Sequence, residues 1–138
     1  MGSRKYSRFI KPYGKYEGPR PATVQHFVGF DDLDWLNFEI IVDCLYESEF
    51  LVFEYYDRVR LVAPFALGVS RYGNGLLRAF QIDGLSRKGP GFGWRVFQVR
   101  NMSMVEGYGE YFFIEDFDFD DYFPWIYAVY LEVQDRGK

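Results

Sequence analysis

The chain has 138 residues, a formal net charge of −4 and 22% aromatic side chains. That length gives one domain with a core of its own. The single cysteine, Cys44, excludes an internal disulfide and points to a reducing cytoplasm. No apolar run is long enough to cross a bilayer, and Arg4, Lys5 and Arg8 are not followed by the apolar segment of a secretory signal, so no membrane partner is expected.

The charge is unevenly spread. Residues 1–20 hold six basic residues (Arg4, Lys5, Arg8, Lys11, Lys15, Arg20) against Glu17 alone. Residues 106–121 hold seven acids (Glu106, Glu110, Glu115, Asp116, Asp118, Asp120, Asp121) and no base. Two segments of opposite sign on one small domain would attract each other, within one molecule or between copies, or would engage two partners.

Taken in chain order, residues 1–30 are rich in Gly, Pro, Tyr and Lys/Arg, which predicts an extended basic, aromatic arm with one short strand near 23–27. The remainder, 31–138, forms the folded domain. Asp31, Asp32 and Asp34 supply a helix start, and Leu33, Leu36, Ile40, Ile41, Cys44 and Leu45 follow at helical spacing. They predict an amphipathic helix over 32–47 with that stripe buried. The period then changes to that of strands: 50–56, a turn at Asp57-Arg58, and a longer strand over 59–70 in which Pro64 demands an edge position or a bulge. Tyr72-Gly73-Asn74-Gly75 reads as a hairpin turn on its Asn-Gly pair, and 76–82 as the next strand. After a glycine-rich connection over 84–93 come strands at 94–100 and 102–106 with a sharp bend between them, and a last strand at 126–133. The fold class is mainly β with one amphipathic helix, a small SH3/Sm-like barrel.

These residues resemble a family. A helix is followed by Phe50-Leu-Val-Phe-Glu-Tyr-Tyr56, then Arg60-Leu-Val-Ala-Pro64-Phe65-Ala-Leu67-Gly68, then Leu77-Arg78-Ala79-Phe80, then Arg95-Val-Phe97-Gln-Val99. Over roughly 36–133 this order is similar to the WYL domain, an Sm-like barrel of bacterial and phage regulators. The tripeptide that names the family falls at Gly75-Leu76-Leu77, without its Trp and Tyr, and Asn101 stands where many members have a basic residue. The resemblance implies a ligand-sensing module, in several members for nucleic acid or nucleotide. Only one helix is predicted, so no helix-turn-helix can be fitted.

Arg58, Arg60, Arg78, Arg95 and Arg100 alternate with apolar residues along the predicted strands. On a shared face they would form a cationic patch whose planar forks suit phosphate. Tyr56, Tyr72, Phe80 and Trp94 would supply stacking surfaces beside it. The plain alternative is that these are solvent-facing positions that pair locally with Glu54, Asp57 and Asp83. The arm, with Tyr6, Phe9, Tyr13 and Tyr16 among its bases, suits either a nucleic-acid backbone or a neighbouring subunit.

Other chemistry is poorly provided. A calcium loop of the EF-hand type counted from Asp116 would need Gly and Glu where Asp121 and Tyr127 stand. His26 is the only histidine and Cys44 lies on the predicted buried stripe, so neither zinc nor a Cys–His nucleophile is expected. The expectation is a non-enzymatic regulatory module, without cofactor, that binds an anionic ligand, nucleic acid or nucleotide. The alternative is a protein-interaction factor that presents the acidic-aromatic segment 110–123 to a basic partner. Short barrel edges also allow homo-oligomers.

Overall fold

A computed structural model describes residues 20–83, 93–118 and 125–135. The basic run before Arg20, most of the 84–93 connection, and Asp120 and Asp121 lie outside the described residues.

Two short pieces begin the described chain. β1 (Arg20–Pro21) runs parallel to the last strand, β7 (Ala128–Glu132), and Ala22 N–H extends that pairing to Val129 O. The strand expected near 23–27 is instead a 3-10 turn over Val24–His26, with Thr23 N–H bonded to His26 Nδ1. This turn points Phe27 inward, where it meets Phe30, Trp35, Phe38 and Tyr130 at centroid distances of 5.1–6.1 Å. Residues 20–30 therefore lie against the domain, held by rings that dominate burial through their area.

The helix α1 spans Asp32–Glu47, as its period requires. Asp31 Oδ1 accepts from Asp34 N–H, and Asp34 Oδ2 accepts from Asp31 N–H, a reciprocal cap that fixes the helix start. The buried stripe differs from the expected one. Leu33 and Leu36 are exposed, whereas Asp34, Asn37 and Phe38 are buried with Ile41, Cys44 and Leu45. The cap turns Asp34 inward, Asn37 Nδ2 donates to Met102 O, and Phe38 joins the aromatic cluster. Ser48, in the left-handed region, ends the helix.

Five strands then curl into the barrel: β2 (Glu49–Tyr55), β3 (Arg58–Val69), β4 (Gly75–Asp83), β5 (Gly93–Gln98) and β6 (Met102–Tyr111). β2 pairs with β3, β3 with β4 and β4 with β5, all antiparallel. The chain bends through a 3-10 turn at Val99–Asn101, and β6 returns to pair with β2, so these five strands run in the order β6-β2-β3-β4-β5. β7 pairs with the second half of β3. The architecture is mainly β with one helix.

The turns fall a residue or two from where composition suggested. The β2–β3 hairpin turns on Tyr56 and Asp57, both with positive φ, so Arg58 is already strand and faces Tyr55. Two consecutive left-handed residues give the twist a two-residue hairpin needs. Between β3 and β4 the turn is closed by Gly73 N–H to Ser70 O, with Gly73 left-handed, while Gly75 belongs to β4. Phe30 and Phe27 press on Gly75, where a Cβ would lie 2.6 Å from Phe30 Cζ. Pro64 sits inside the sheet, and the β3–β4 register shifts between Pro64 and Ala66, so the bulge, not the edge, accommodates it.

The core has two layers. Leu51, Phe53, Leu77 and Phe97 fill the barrel, and Phe65, Phe112 and Phe117 pack outside it against Phe80 and Trp94. A 3-10 turn at Ile114–Asp116 delivers Phe117 to that outer layer. Cys44 is buried, with Sγ facing Phe50 O, and burial pushes its thiol up to about 12. It stays protonated at neutral pH. Among the described residues no helix is long and apolar enough to cross a membrane, and no group of His, Cys, Asp and Glu is placed to hold a metal ion.

Candidate anion-binding site

The β4–β5 register decides which arginines meet. Arg78 stands opposite Val96, and Arg95 stands opposite Ala79. Residues directly opposite share a face, so Arg78 and Arg95 belong to opposite faces of the sheet. The single patch expected of Arg60, Arg78 and Arg95 is therefore split.

On the barrel side, at the turn end of the β2–β3 hairpin, three cations gather: Arg58, Arg60 and Arg95. Arg60 Nη1 donates to Gln81 Oε1 at 3.1 Å and Nη2 to Tyr55 O at 3.5 Å. Its guanidinium carbon lies 5.6 Å from the Tyr55 ring and 6.0 Å from the Phe97 ring. Its Nε is buried and has no hydrogen-bond partner among the described residues. Burial is the first cause that lowers its pKa, followed by the charges of Arg58 and then Arg95. An arginine does not give up its proton at working pH, so this environment holds a cation beside like charge. An anion placed here would relieve the repulsion between these like charges.

Arg78 behaves differently. It is only 4% exposed, and its guanidinium lies 4.7 Å from the centroid of the Trp94 ring. It faces Ala66, on whose other side Glu132 stands, also buried. Arg78 is thus a packed residue of the outer layer. Arg78→Ala is expected to destabilise the domain by about 2–3 kcal/mol, through lost packing and the lost ring contact. Urea denaturation beside Arg78→Met, which keeps the stem, checks this; equal stability of wild type and Arg78→Ala would refute it.

The remaining expected residues scatter. Tyr72 is 79% exposed in the β3–β4 turn. Phe80 is taken up by Trp94 and Phe117. Tyr56 stacks edge-on to Tyr55, and its hydroxyl accepts from Asn101 Nδ2. Arg100 Nη2 donates to Val28 O at 3.4 Å, tying the 3-10 corner to the residues before α1.

Beside Arg78 and Trp94 runs a groove of about 590 Å³. Tyr55, Ser70, Asn74, Arg95, Gln98 and Trp125 also line it. Sequence reasoning passed over Tyr55, Gln81 and Trp125. A fully buried glutamine in an apolar strand was a usable signal for Gln81. Trp125 had none, because its place depends on the path of the chain before β7.

No family model matches the chain, and no curated protein matches it. Among solved structures it is similar to proteasome accessory factor B/C of Arthrobacter aurescens. The identity is 25% over 59% of this chain, with a TM-score of 0.44. The match spans 13% of that protein's length.

Proposed function

We propose that this chain is a non-enzymatic ligand-binding module of the WYL type that takes an anion, nucleic acid or nucleotide, at the barrel end formed by Arg58, Arg60 and Arg95. The observation that carries the reading is Arg60: a half-buried guanidinium held over aromatic rings and set beside two like charges. The family resemblance of the strand sequences supports a regulatory role for such binding.

Fluorescence anisotropy with labelled single-stranded DNA and RNA, at about 50 and about 200 mM salt, tests it. Wild type is expected to bind in a salt-dependent way. Arg60→Ala is expected to weaken binding about tenfold and to reduce the salt slope by about one. Unchanged affinity in a folded Arg60→Ala variant would refute the assignment.

A second reading has one observation in its favour. Phe113 is 64% exposed among Glu110, Glu115 and Asp116, an apolar side chain in an acidic setting that suits a basic protein partner. Capture of a basic partner that survives Arg60→Ala and is lost in Phe113→Ala would favour it.

A further inference from the structure

The cationic barrel end and the outer groove lie on different faces of the sheet, yet they share two residues. Tyr55 carries Arg60 over its ring and also lines the groove, where its hydroxyl accepts from Gln98 N–H at 2.9 Å. Arg95 presses its charge on Arg60 and also lines the groove, with Nη1 on Trp94 O at 3.2 Å. The two features are therefore contiguous around the edge of β5.

The groove is chemically specific. Its volume falls within the range of small-ligand sites. Two tryptophans line it and no carboxylate does among the described residues. Trp125 is 77% exposed and has φ of +70°, a backbone region that bulky residues rarely occupy. A large aromatic held outward in a strained conformation at the rim of a groove offers an exposed ring face for stacking.

Hydrogen-bonding groups are also open. Ser70 Oγ accepts from the N–H groups of Tyr72 and Asn74, which leaves its hydroxyl hydrogen to donate. The Asn74 side-chain amide has no hydrogen-bond partner among the described residues, and Gln98 uses only Oε1, toward Asn101. An amide that both donates and accepts is suited to the edge of a heterocyclic base.

We infer that groove and barrel end form one site for a nucleoside monophosphate unit, with the base in the groove lined by Trp94 and Trp125 and the phosphate at Arg60 and Arg95. This rests on the anion-binding reading of Arg60 and adds to it the class of ligand. The same chemistry is offered by a free nucleotide and by the phosphorylated end of a single strand.

Titration calorimetry of the full chain at low salt, with adenosine monophosphate, adenosine and inorganic phosphate, tests the inference. A 5′-phosphorylated single-stranded oligonucleotide forms a fourth arm. The monophosphate is expected to bind about tenfold more tightly than adenosine or phosphate alone. Trp125→Ala is expected to weaken the monophosphate about tenfold, the loss of one stacked base, and to leave phosphate unchanged. Arg60→Gln is expected to weaken both. A monophosphate no tighter than phosphate, or one indifferent to Trp125→Ala, overturns the joint site and leaves the anion-binding reading standing. Absence of binding to every anion overturns both. Tighter binding of the oligonucleotide than of the monophosphate assigns the end of a strand; equal or weaker binding assigns the free nucleotide.

Discussion

Gly68→Ala is expected to destabilise the domain by about 3 kcal/mol or more, a large share of the stability of a domain this size. Gly68 pairs with Leu76 on one side and Val129 on the other, at a register shift in the β3–β7 ladder. A Cβ there would collide with the carbonyl oxygen of Ala128, and would lie 2.8 Å from Ile126 Cγ2 and 3.1 Å from Val129 Cα. Two of those neighbours are backbone, so no rotamer change relieves the clash and β7 itself would have to move. β1 hangs on β7, and Val133 N–H on Phe65 O, so the displacement would spread to both edges of the core. Urea denaturation followed by tryptophan fluorescence measures the loss. A cost below about 1 kcal/mol would show that β7 yields freely and is not fixed by this approach.

That glycine closes the run Arg60 to Gly68, which carries part of the family resemblance, and three residues of the run have their own physical reason. Pro64 lies at the bulge, Gly68 admits β7, and Arg60 faces the barrel end. The helix and strands were legible because hydrophobic period reports element type. Faces were less so. The side-chain type of Leu33 and Leu36 predicts burial, but the cap geometry and the ring cluster around Phe38 set the rotation of α1. The strand arginines were legible as a set, but not their grouping. Arg78 and Arg95 lie in adjacent strands, and an offset of one residue in register sends them to opposite faces. Nothing local to either strand encodes that offset. It follows from the register at which β4 and β5 pair, which only the assembled sheet reveals. The groove combines Ser70, Asn74, Gln98 and Trp125 from three separated stretches, and no spacing rule joins them.

The second large effect links the core to the site. Phe97→Ala is expected to cost about 3–5 kcal/mol, the loss of a buried ring and the cavity it leaves. Phe97 is 2% exposed and meets Phe53 edge-on at 5.0 Å and Tyr55 at 4.9 Å. It is also part of the aromatic floor beneath Arg60. Phe97→Leu separates these roles. It keeps most of the volume and should cost less than about 1.5 kcal/mol, so the domain stays folded. Yet it removes the ring face under the guanidinium, a contact that contributes about 0.5–1 kcal/mol where solvent reaches it. Arg60 would keep its bond to Gln81 but lose part of what holds it in one orientation, so anion affinity should fall about threefold. Thermal denaturation and phosphate titration on the same variant read the two effects separately. If Phe97→Leu matched wild type in anion affinity, Gln81 and Tyr55 alone would suffice to position Arg60, and the barrel core would contribute stability without shaping the site.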